Sequence, residues 1–402
     1  MPEQKNVRSP LGQNRENLRQ HNLSVVLRLL HQEGSVPRPH LTWATGLNRS
    51  TISDLVGELV ELGLAKEAEA QVQGGVGRPS LTVEASKNVV AFTVNPAADA
   101  TTVGVVSFDG QLIKRVRYKT PQRPDAQSAA NIAAKLIVDL RAELDPDVLV
   151  AGIGVAVPGQ IRVQDGVVRT SPNLGWVEAP FATLLSQLSS LPVFVDNDAT
   201  NACVAERLFG AGKGSTNAVF LFASSGGIGG GIIADDRLLR GASGYAGELG
   251  HIQVSPSKET DYSGFSGTLE ALVKREDLLY AFHLDTATDE ELDTLIITAT
   301  SARVVKLINS QLENLGRGIA QIATIFNPQT VIISGFLRSI FNFNPERLLS
   351  TIRSNSMTSV NEALVVKAGE LGTSAVLIGA AELAFQAVLD SPAGTRLTVN
   401  RR

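Results

Sequence analysis

The chain has 402 residues, 43% of them hydrophobic, with 36 lysines and arginines against 40 aspartates and glutamates and a formal net charge of −4; that length supports two or three domains. This charge excludes wholesale coating of nucleic acid but leaves room for a small domain that reads DNA through a local basic patch. Its one cysteine, Cys203, excludes a disulfide framework and any multi-cysteine metal site and suits a reducing compartment, so the cytoplasm is expected.

In chain order, residues 1–20 carry Lys5, Arg8, Arg15 and Arg19 against Glu3 and Glu16 without an apolar period, and read as an arm, flexible or partly helical. They show no apolar core of a signal peptide, and no later stretch approaches the roughly 18 uninterrupted apolar residues of a membrane span. From Asn22, Val25, Val26, Leu29 and Leu30 fall on a helical stripe that stops at Gly34. A short helix over 38–45 breaks at Gly46. Asn48 then caps a second run with Ile52, Leu55, Val56, Leu59, Val60 and Leu62 inward and Gly63 as its stop. This is a helix-turn-helix pattern, and Arg49, Ser50, Thr51 and Ser53 stand where such a helix meets base edges and phosphates. The segments 64–69 and 81–84 read as a two-stranded wing around the tip Gly74-Gly75-Val76-Gly77-Arg78-Pro79. There Arg78 suits a narrow, electronegative minor groove.

Beyond Asn88 apolar β runs alternate with helical segments. Strands are expected at 89–94, 102–108 and 111–118, an antiparallel meander, then a helix at 126–143 and a buried strand at 148–157. A short strand at 193–196 places Asn197 and Asp198 at the mouth of a sheet, where ligands of open α/β sheets sit, and a helix follows to Gly210. A second β block at 218–223 turns through the glycine-rich Ser224–Gly231 and continues at 232–234, as a repeat of the first meander. Helices are expected at 268–282, 288–298, 301–326, about 345–353 and 374–388, strands at 330–334 and 364–367, and a frayed tail at 391–402. Two such lobes imply a cleft for a small ligand. Between the glycine-rich turn and a variable loop lies Gly241-Ala242-Ser243-Gly244-Tyr245-Ala246-Gly247-Glu248-Leu249-Gly250-His251, in which a carboxylate and an imidazole three residues apart complement vicinal hydroxyls.

Together, Gly77-Arg78-Pro79, Gly152–Gly159, Ser171-Pro172-Asn173-Leu174-Gly175-Trp176, Asp196-Asn197-Asp198-Ala199, Gly226–Gly231 and Gly247-Glu248-Leu249-Gly250-His251 resemble the ROK family of repressors, open reading frames and sugar kinases, in its regulator branch. The resemblance covers nearly the whole chain. It implies an α/β fold: an N-terminal winged helix-turn-helix followed by a two-lobed actin-like domain of the sugar kinase and heat-shock-protein ATPase type, assembled as a homodimer or homotetramer. The corresponding expected divisions are an arm at 1–20, the DNA-binding domain at 21–87, lobe 1 at 88–196 with the helix 374–388, and lobe 2 at 197–373. It further implies sugar contacts at Asn173, Asn197, Asp198, Glu248, His251 and Glu270, residue types that converge to satisfy several hydroxyls at once.

Three departures from the family pattern bear on mechanism. Where family kinases hold an Asp, a Gly pair, a Thr and a Lys around ATP, this chain has Asn95, Pro96, Ala97, Ala98, Asp99 and Ala100. A phosphate cradle needs free N–H groups and positive charge, so ATP is expected to bind poorly and no catalytic residue is assigned. In the second phosphate loop Ser225-Gly226 lacks the family threonine. Asp198, at the family's general-base position, reads as a hydroxyl acceptor. Asp261, Ser263 and Thr268 stand where many relatives carry zinc-binding cysteines, and they are poor ligands. No metal or cofactor is expected, and the loop 255–267 is expected to be ordered by ligand.

These readings point to a transcriptional regulator, a repressor of carbohydrate genes, with double-stranded operator DNA and a sugar or sugar-phosphate effector as partners and no membrane. The alternatives are an ATP-dependent sugar kinase carrying a DNA-binding domain, and a regulator controlled by a protein partner.

Overall fold

A computed structural model describes residues 15–68, 81–224 and 226–400. The first helix, α1 (Arg15–Glu33), begins ahead of the expected Asn22. Its polar opening turns are held by Gln20 donating to Glu16 and by the Arg19–Glu58 ion pair rather than by apolar burial. Leu23, Val26, Leu27 and Leu30 are fully buried along one stripe. A two-residue strand that periodicity could not reveal, β1 (Val36–Pro37), leads into α2 (Arg38–Thr45), whose last turn closes on Gly46 at φ 69, a left-handed conformation that glycine tolerates. In α3 (Arg49–Glu61) the Asn48 side chain accepts from the Thr51 N–H at 2.9 Å, the N-cap that starts the helix. Then β2 (Ala65–Ala68) and β3 (Thr82–Ala85) pair antiparallel, in a small sheet of order β1-β3-β2. The expected wing tip, with Arg78, lies outside the described residues.

The body follows with β4 (Val89–Pro96), β5 (Ala100–Ser107), β6 (Leu112–Lys119), α4 (Ala126–Ala142), β7 (Leu149–Val157), β8 (Gln160–Arg162), β9 (Val167–Ser171), β10 (Trp176–Ala179), α5 (Phe181–Ser189) and β11 (Val193–Asn197). The second half holds α6 (Asp198–Phe209), β12 (Ala218–Ser224), β13 (Gly227–Ala234), β14 (Arg237–Leu238), α7 (Leu269–Leu272), α8 (Arg275–Ala281), α9 (Asp289–Ile297), α10 (Ala302–Phe326), β15 (Thr330–Gly335), α11 (Phe336–Phe343), α12 (Pro345–Asn355), α13 (Thr358–Asn361) and β16 (Val365–Ala368). Finally come α14 (Ala375–Asp390) and β17 (Thr398–Val399). One sheet runs β11-β7-β4-β5-β6 and the other β16-β15-β12-β13-β14. Each combines an antiparallel meander with two parallel strands beside its first strand, so the internal repeat is a repeat of topology.

Both sheets are covered on both faces, which is why their central strands are unbroken apolar runs. On one side of the first sheet lie α4 and α5, with Ala133, Ile137 and Leu185 against Phe92 and Val155. On the outer side of the second lies α10, with Leu312 and Ile319 against Val219 and Ile333. Between the sheets run α6 and α14, packed on each other so closely that a Cβ at Gly379 would stand 1.8 Å from the Asn201 carbonyl oxygen.

Two expectations are corrected here. Gly227–Gly231 are not a turn but part of β13, because α6 lies directly on that strand: a Cβ at Gly231 would come within 2.4 Å of Cys203 Cβ, and one at Gly229 within 2.8 Å of Ala199 Cβ. Ser225 of that turn lies outside the described residues. The supposed frayed tail adds β17 antiparallel to the start of β7, and the buried Asn400 amide donates to the main-chain oxygens of Arg141, Leu144 and Asp145. Small strands β8 to β10, α5 and α11 were also not anticipated, being short and bounded by few strong signals.

The segment Gly372–Asp390 is long and apolar enough to cross a membrane by length and composition. In this fold its apolarity serves the core. Ala384, Phe385 and Val388 of α14 share one cluster with Leu23, Leu27 and Leu30 of α1 and with Val106 and Phe108 of the first sheet. Inside that cluster His31 is held by two contacts. Its Nε2 meets Glu382 Oε2 at 2.9 Å and its Nδ1 the Phe108 carbonyl oxygen at 2.5 Å. Ser24 donates to the Leu389 carbonyl, and Arg28 pairs with Asp390. The helix-turn-helix unit is therefore docked on the body through a continuous core.

Candidate functional site

The cleft is built where β11 ends and α6 begins. Asn197 caps α6: its Oδ1 accepts from Thr200 N at 3.0 Å, while its Nδ2 donates to the Gly159 carbonyl at 3.0 Å. Both ends of this amide are thus committed to holding the loop after β7 against the helix start. Asp198, the next residue, accepts from Ala199 N at 2.9 Å. Burial pushes its carboxyl up to about 6; the neighbouring N–H groups oppose this shift and the charge of Glu248 adds to it.

Glu248 precedes a single 3-10 turn, Leu249–His251, that seats its segment on β13. A Cβ at Gly247 would lie 2.5 Å from the Gly230 carbonyl oxygen and one at Gly250 2.2 Å from that of Ile228, so glycine is required for this approach. Half-buried Glu248 has its pKa raised by desolvation, which the His251 charge partly offsets. Glu270, on α7, accepts from Ile228 N at 2.6 Å, yet burial still raises its pKa. Asp198, Glu248 and Glu270 converge, and Glu248 adds to the upward shift of both others. Asn173, in the turn after β9, reaches toward them from the first lobe: a Cβ on Gly226 would stand 2.6 Å from its Nδ2. A pocket beside these groups is lined by Gly159, Gln160, Asn197, Thr200, Tyr245 and Glu248, among others.

His251 is held by the loop that follows it. Its Nδ1 meets Asp261 Oδ2 at 2.8 Å and its Nε2 the Tyr262 hydroxyl at 3.1 Å. Asp261 also accepts from Thr268 Oγ1 at 2.9 Å, Ser263 N at 2.9 Å and Phe265 N at 3.0 Å. Although burial works the other way, these donors and the His251 ring hold its carboxyl below the usual range. A buried carboxylate with four donors thus ties this loop together. Both ring nitrogens of His251 are engaged within the loop. Among the described residues no group of three His, Cys, Asp or Glu side chains is placed to hold a metal.

Sequence reasoning missed one further contact. Asp196, at the end of β11, accepts from Arg240 Nη1 at 2.7 Å, and Arg240 lies just past β14 of the other sheet. The Asp196 side chain is 3% exposed. Only its place in the Asp-Asn-Asp triplet hinted at it.

At the other end of the molecule, Arg49 is exposed at the start of α3. Ser50 Oγ donates to Asn48 Oδ1 at 2.7 Å, Thr51 gives its N–H to the same oxygen, and Ser53 Oγ accepts from Arg38 Nη1 at 3.1 Å. Arg38 also pairs with Glu67 of β2. On α2, Trp43 is 79% exposed, its ring centroid 5.5 Å from that of His40. Arg38 thus joins Ser53 on the face expected to meet DNA, while His40 pairs with Glu33 of α1; as an isolated residue on a short helix Arg38 carried no signal of it.

Residues 92–387 match the model of the ROK family. The chain is 27% identical to the xylose repressor of Caldicellulosiruptor bescii, over 93% of this chain and 98% of that protein. It is 26% identical to the DNA-binding transcriptional dual regulator NagC of Escherichia coli K12, covering 93% and 94%. Its fold resembles that of a solved ROK family transcriptional regulator, a homolog of the E. coli MLC protein, with a TM-score of 0.76, 24% identity and coverage of 93% and 97%. A ROK hexokinase from Thermus thermophilus matches with a TM-score of 0.60 and 28% identity, over 75% of this chain and all of that one.

Proposed function

The chain belongs to the ROK family, and from that premise we propose that it is a DNA-binding transcriptional regulator, a cytoplasmic repressor of carbohydrate-metabolism genes whose cleft senses a sugar. Its relatives named as repressors and regulators align over 93% of the chain, so the likeness includes the helix-turn-helix unit as well as the body. The observation that carries the reading is one of continuity. The helix that begins at Asp198 in the cleft packs on α14, and α14 shares its core with α1. Closure of the lobes on a sugar shifts α6, and through α14 it shifts the helix-turn-helix unit; operator and effector then weaken each other's binding reciprocally. In a homodimer or homotetramer, paired α3 helices read a pseudo-palindrome through Arg49, Ser50, Thr51, Ser53 and Arg78. Asn173, Asn197, Asp198, Glu248, His251 and Glu270 are the effector contacts, with Asn197 and His251 also holding the site's shape.

The hairpin between β4 and β5 supports a regulator over an enzyme. Asn95 donates to the Ala156 carbonyl, Asp99 pairs with Arg117, and the turn closes on itself through Ala97 N to the Ala100 carbonyl at 2.7 Å. These groups are spent within the protein, with a carboxylate where a phosphate would need positive charge. Asp198 keeps the kinase reading open to test. The full-length protein should select a pseudo-palindromic site from random DNA, and a sugar should lower its affinity for that site at least tenfold. Failure to select any sequence would remove the regulator reading. Sugar phosphorylation with magnesium-ATP, abolished by Asp198→Asn, would replace it with the kinase.

A further inference from the structure

Resting on the sugar-sensing reading of the cleft, we infer that the pocket admits uncharged sugars and rejects phosphorylated ones, and that the Asp196–Arg240 ion pair sets this selection. The pair joins the end of β11 to the segment after β14, and so bridges the two lobes at the pocket. Arg240 is the cation best placed to meet an anionic ligand, and it is already spent: its partner Asp196 is 3% exposed and also accepts from Asn197 N at 2.8 Å. Turning Arg240 toward a phosphate would leave a buried carboxylate without its counter-charge, a strongly unfavourable exchange.

No other cation takes its place among the described residues. The pocket lining contains no lysine or arginine, and Asp198, Glu248 and Glu270 have none within ion-pair distance. Arg162, next to the pocket residue Ile161, is held by Asp165 and Glu178. Arg123 donates to the Asn173 main-chain oxygen at 3.4 Å and is exposed. A phosphate dianion entering the cleft would therefore face converging carboxylates, with only the exposed Arg123 guanidinium, beside Asn173 and outside the pocket lining, not held by a carboxylate among these arginines. An uncharged sugar needs what is present, namely acceptors for its hydroxyls. The upward shifts of Asp198, Glu248 and Glu270 come first from desolvation by burial, and at Glu248 and Glu270 the His251 charge opposes them only in part.

The test is calorimetric titration and thermal melting of the full-length protein with xylose, glucose, N-acetylglucosamine, glucose 6-phosphate and N-acetylglucosamine 6-phosphate. The expected result is that at least one uncharged sugar binds and that each 6-phosphate binds at least tenfold more weakly than the tightest of them. Asp196→Asn, which releases Arg240, should narrow that gap at least tenfold. Should that variant not fold, Glu248→Gln, at a half-buried position, should narrow it by removing a repulsive charge. A 6-phosphate that binds the native protein as tightly as every uncharged sugar overturns the inference while leaving the sugar sensor intact. Absence of binding by the whole panel instead overturns the sugar-sensing reading on which it rests.

Discussion

Two polar clusters in this protein have left water, and they have been treated in opposite ways. At the joint between α1 and α14, His31 is buried with Glu382 on one ring nitrogen and the Phe108 carbonyl on the other. In the cleft, Asp198, Glu248 and Glu270 are desolvated without a cationic partner. A buried charge that is paired fixes geometry, whereas one left unpaired is a standing cost that a ligand can relieve. The first cluster is therefore architecture, and the second is the one we propose as the receptor.

Breaking the paired cluster should have the largest effect on stability. Glu382→Ala leaves His31 without its carboxylate, and the melt should show a loss of about 3–5 kcal/mol. Its pH dependence has a definite sign. Burial opposes the His31 charge, but the Glu382 charge and hydrogen bond together with the Phe108 carbonyl outweigh it and raise the pKa. The joint's stabilisation is thus complete below the ordinary histidine value of about 6.5 and is lost as pH rises through the higher folded value. The difference in melting temperature between the native protein and Glu382→Gln should shrink on going from pH 6 to pH 9; a constant difference would mean that the pair is not ionised.

Next comes the Asp261 node, which resembles the joint in pairing a buried carboxylate with a histidine although it borders the cleft. Asp261→Ala strands the N–H groups of Ser263 and Phe265 and should cost about 1–3 kcal/mol, together with weaker sugar binding; Asp261→Asn, which keeps an acceptor, should be milder. Equal losses in the two variants would argue against the hydrogen-bond account.

Asp198→Asn should move the other way. The folded carboxyl holds its proton up to about 6 while the unfolded one releases it near 3.8, so the native state binds more protons across that window and stability falls as pH rises through it. Removing the charge should raise stability at pH 7 by on the order of 1 kcal/mol after allowance for solvent screening, flatten that slope and weaken sugar binding at least tenfold. A destabilised variant would place Asp198 with the architecture rather than the receptor. The smallest effect on stability is expected from exposed Arg49: Arg49→Ala should change it by less than about 0.5 kcal/mol, while operator affinity falls by about 1–3 kcal/mol.

How much of this was legible in the sequence follows the range of each signal. The Asn48 cap, the Gly46 stop and the long apolar runs of β4, β7 and β12 are local, and they were readable because capping and periodicity need only neighbouring residues. The glycines of β13 misled because they resemble a turn; their causes are distant in sequence, α6 against Gly229 and Gly231, Leu249 against Gly230 and Glu270 against Gly227. At the site, Asp198, Glu248 and Glu270 were readable as chemical types in spaced motifs. That Asn197 spends its amide on Gly159, that His251 leans on Asp261 and Tyr262, and that Asp196 meets Arg240 are pairings across distance, which no single segment encodes.

The placement of α14 and β17 also bears on how the protein is made. The core under α1 is completed by Phe385 and Val388, and the first sheet by Thr398 and Val399. During synthesis the N-terminal unit leaves the ribosome first, yet the share of its core that Phe385 and Val388 supply closes only when residues 375–399 have followed, and such long-range closure is slow. A chain interrupted before α14 would present Leu23, Leu27 and Leu30 to solvent and to the cell's proteases. The proper folding of the chain's first helix is thereby tied to the arrival of its last helix and strand.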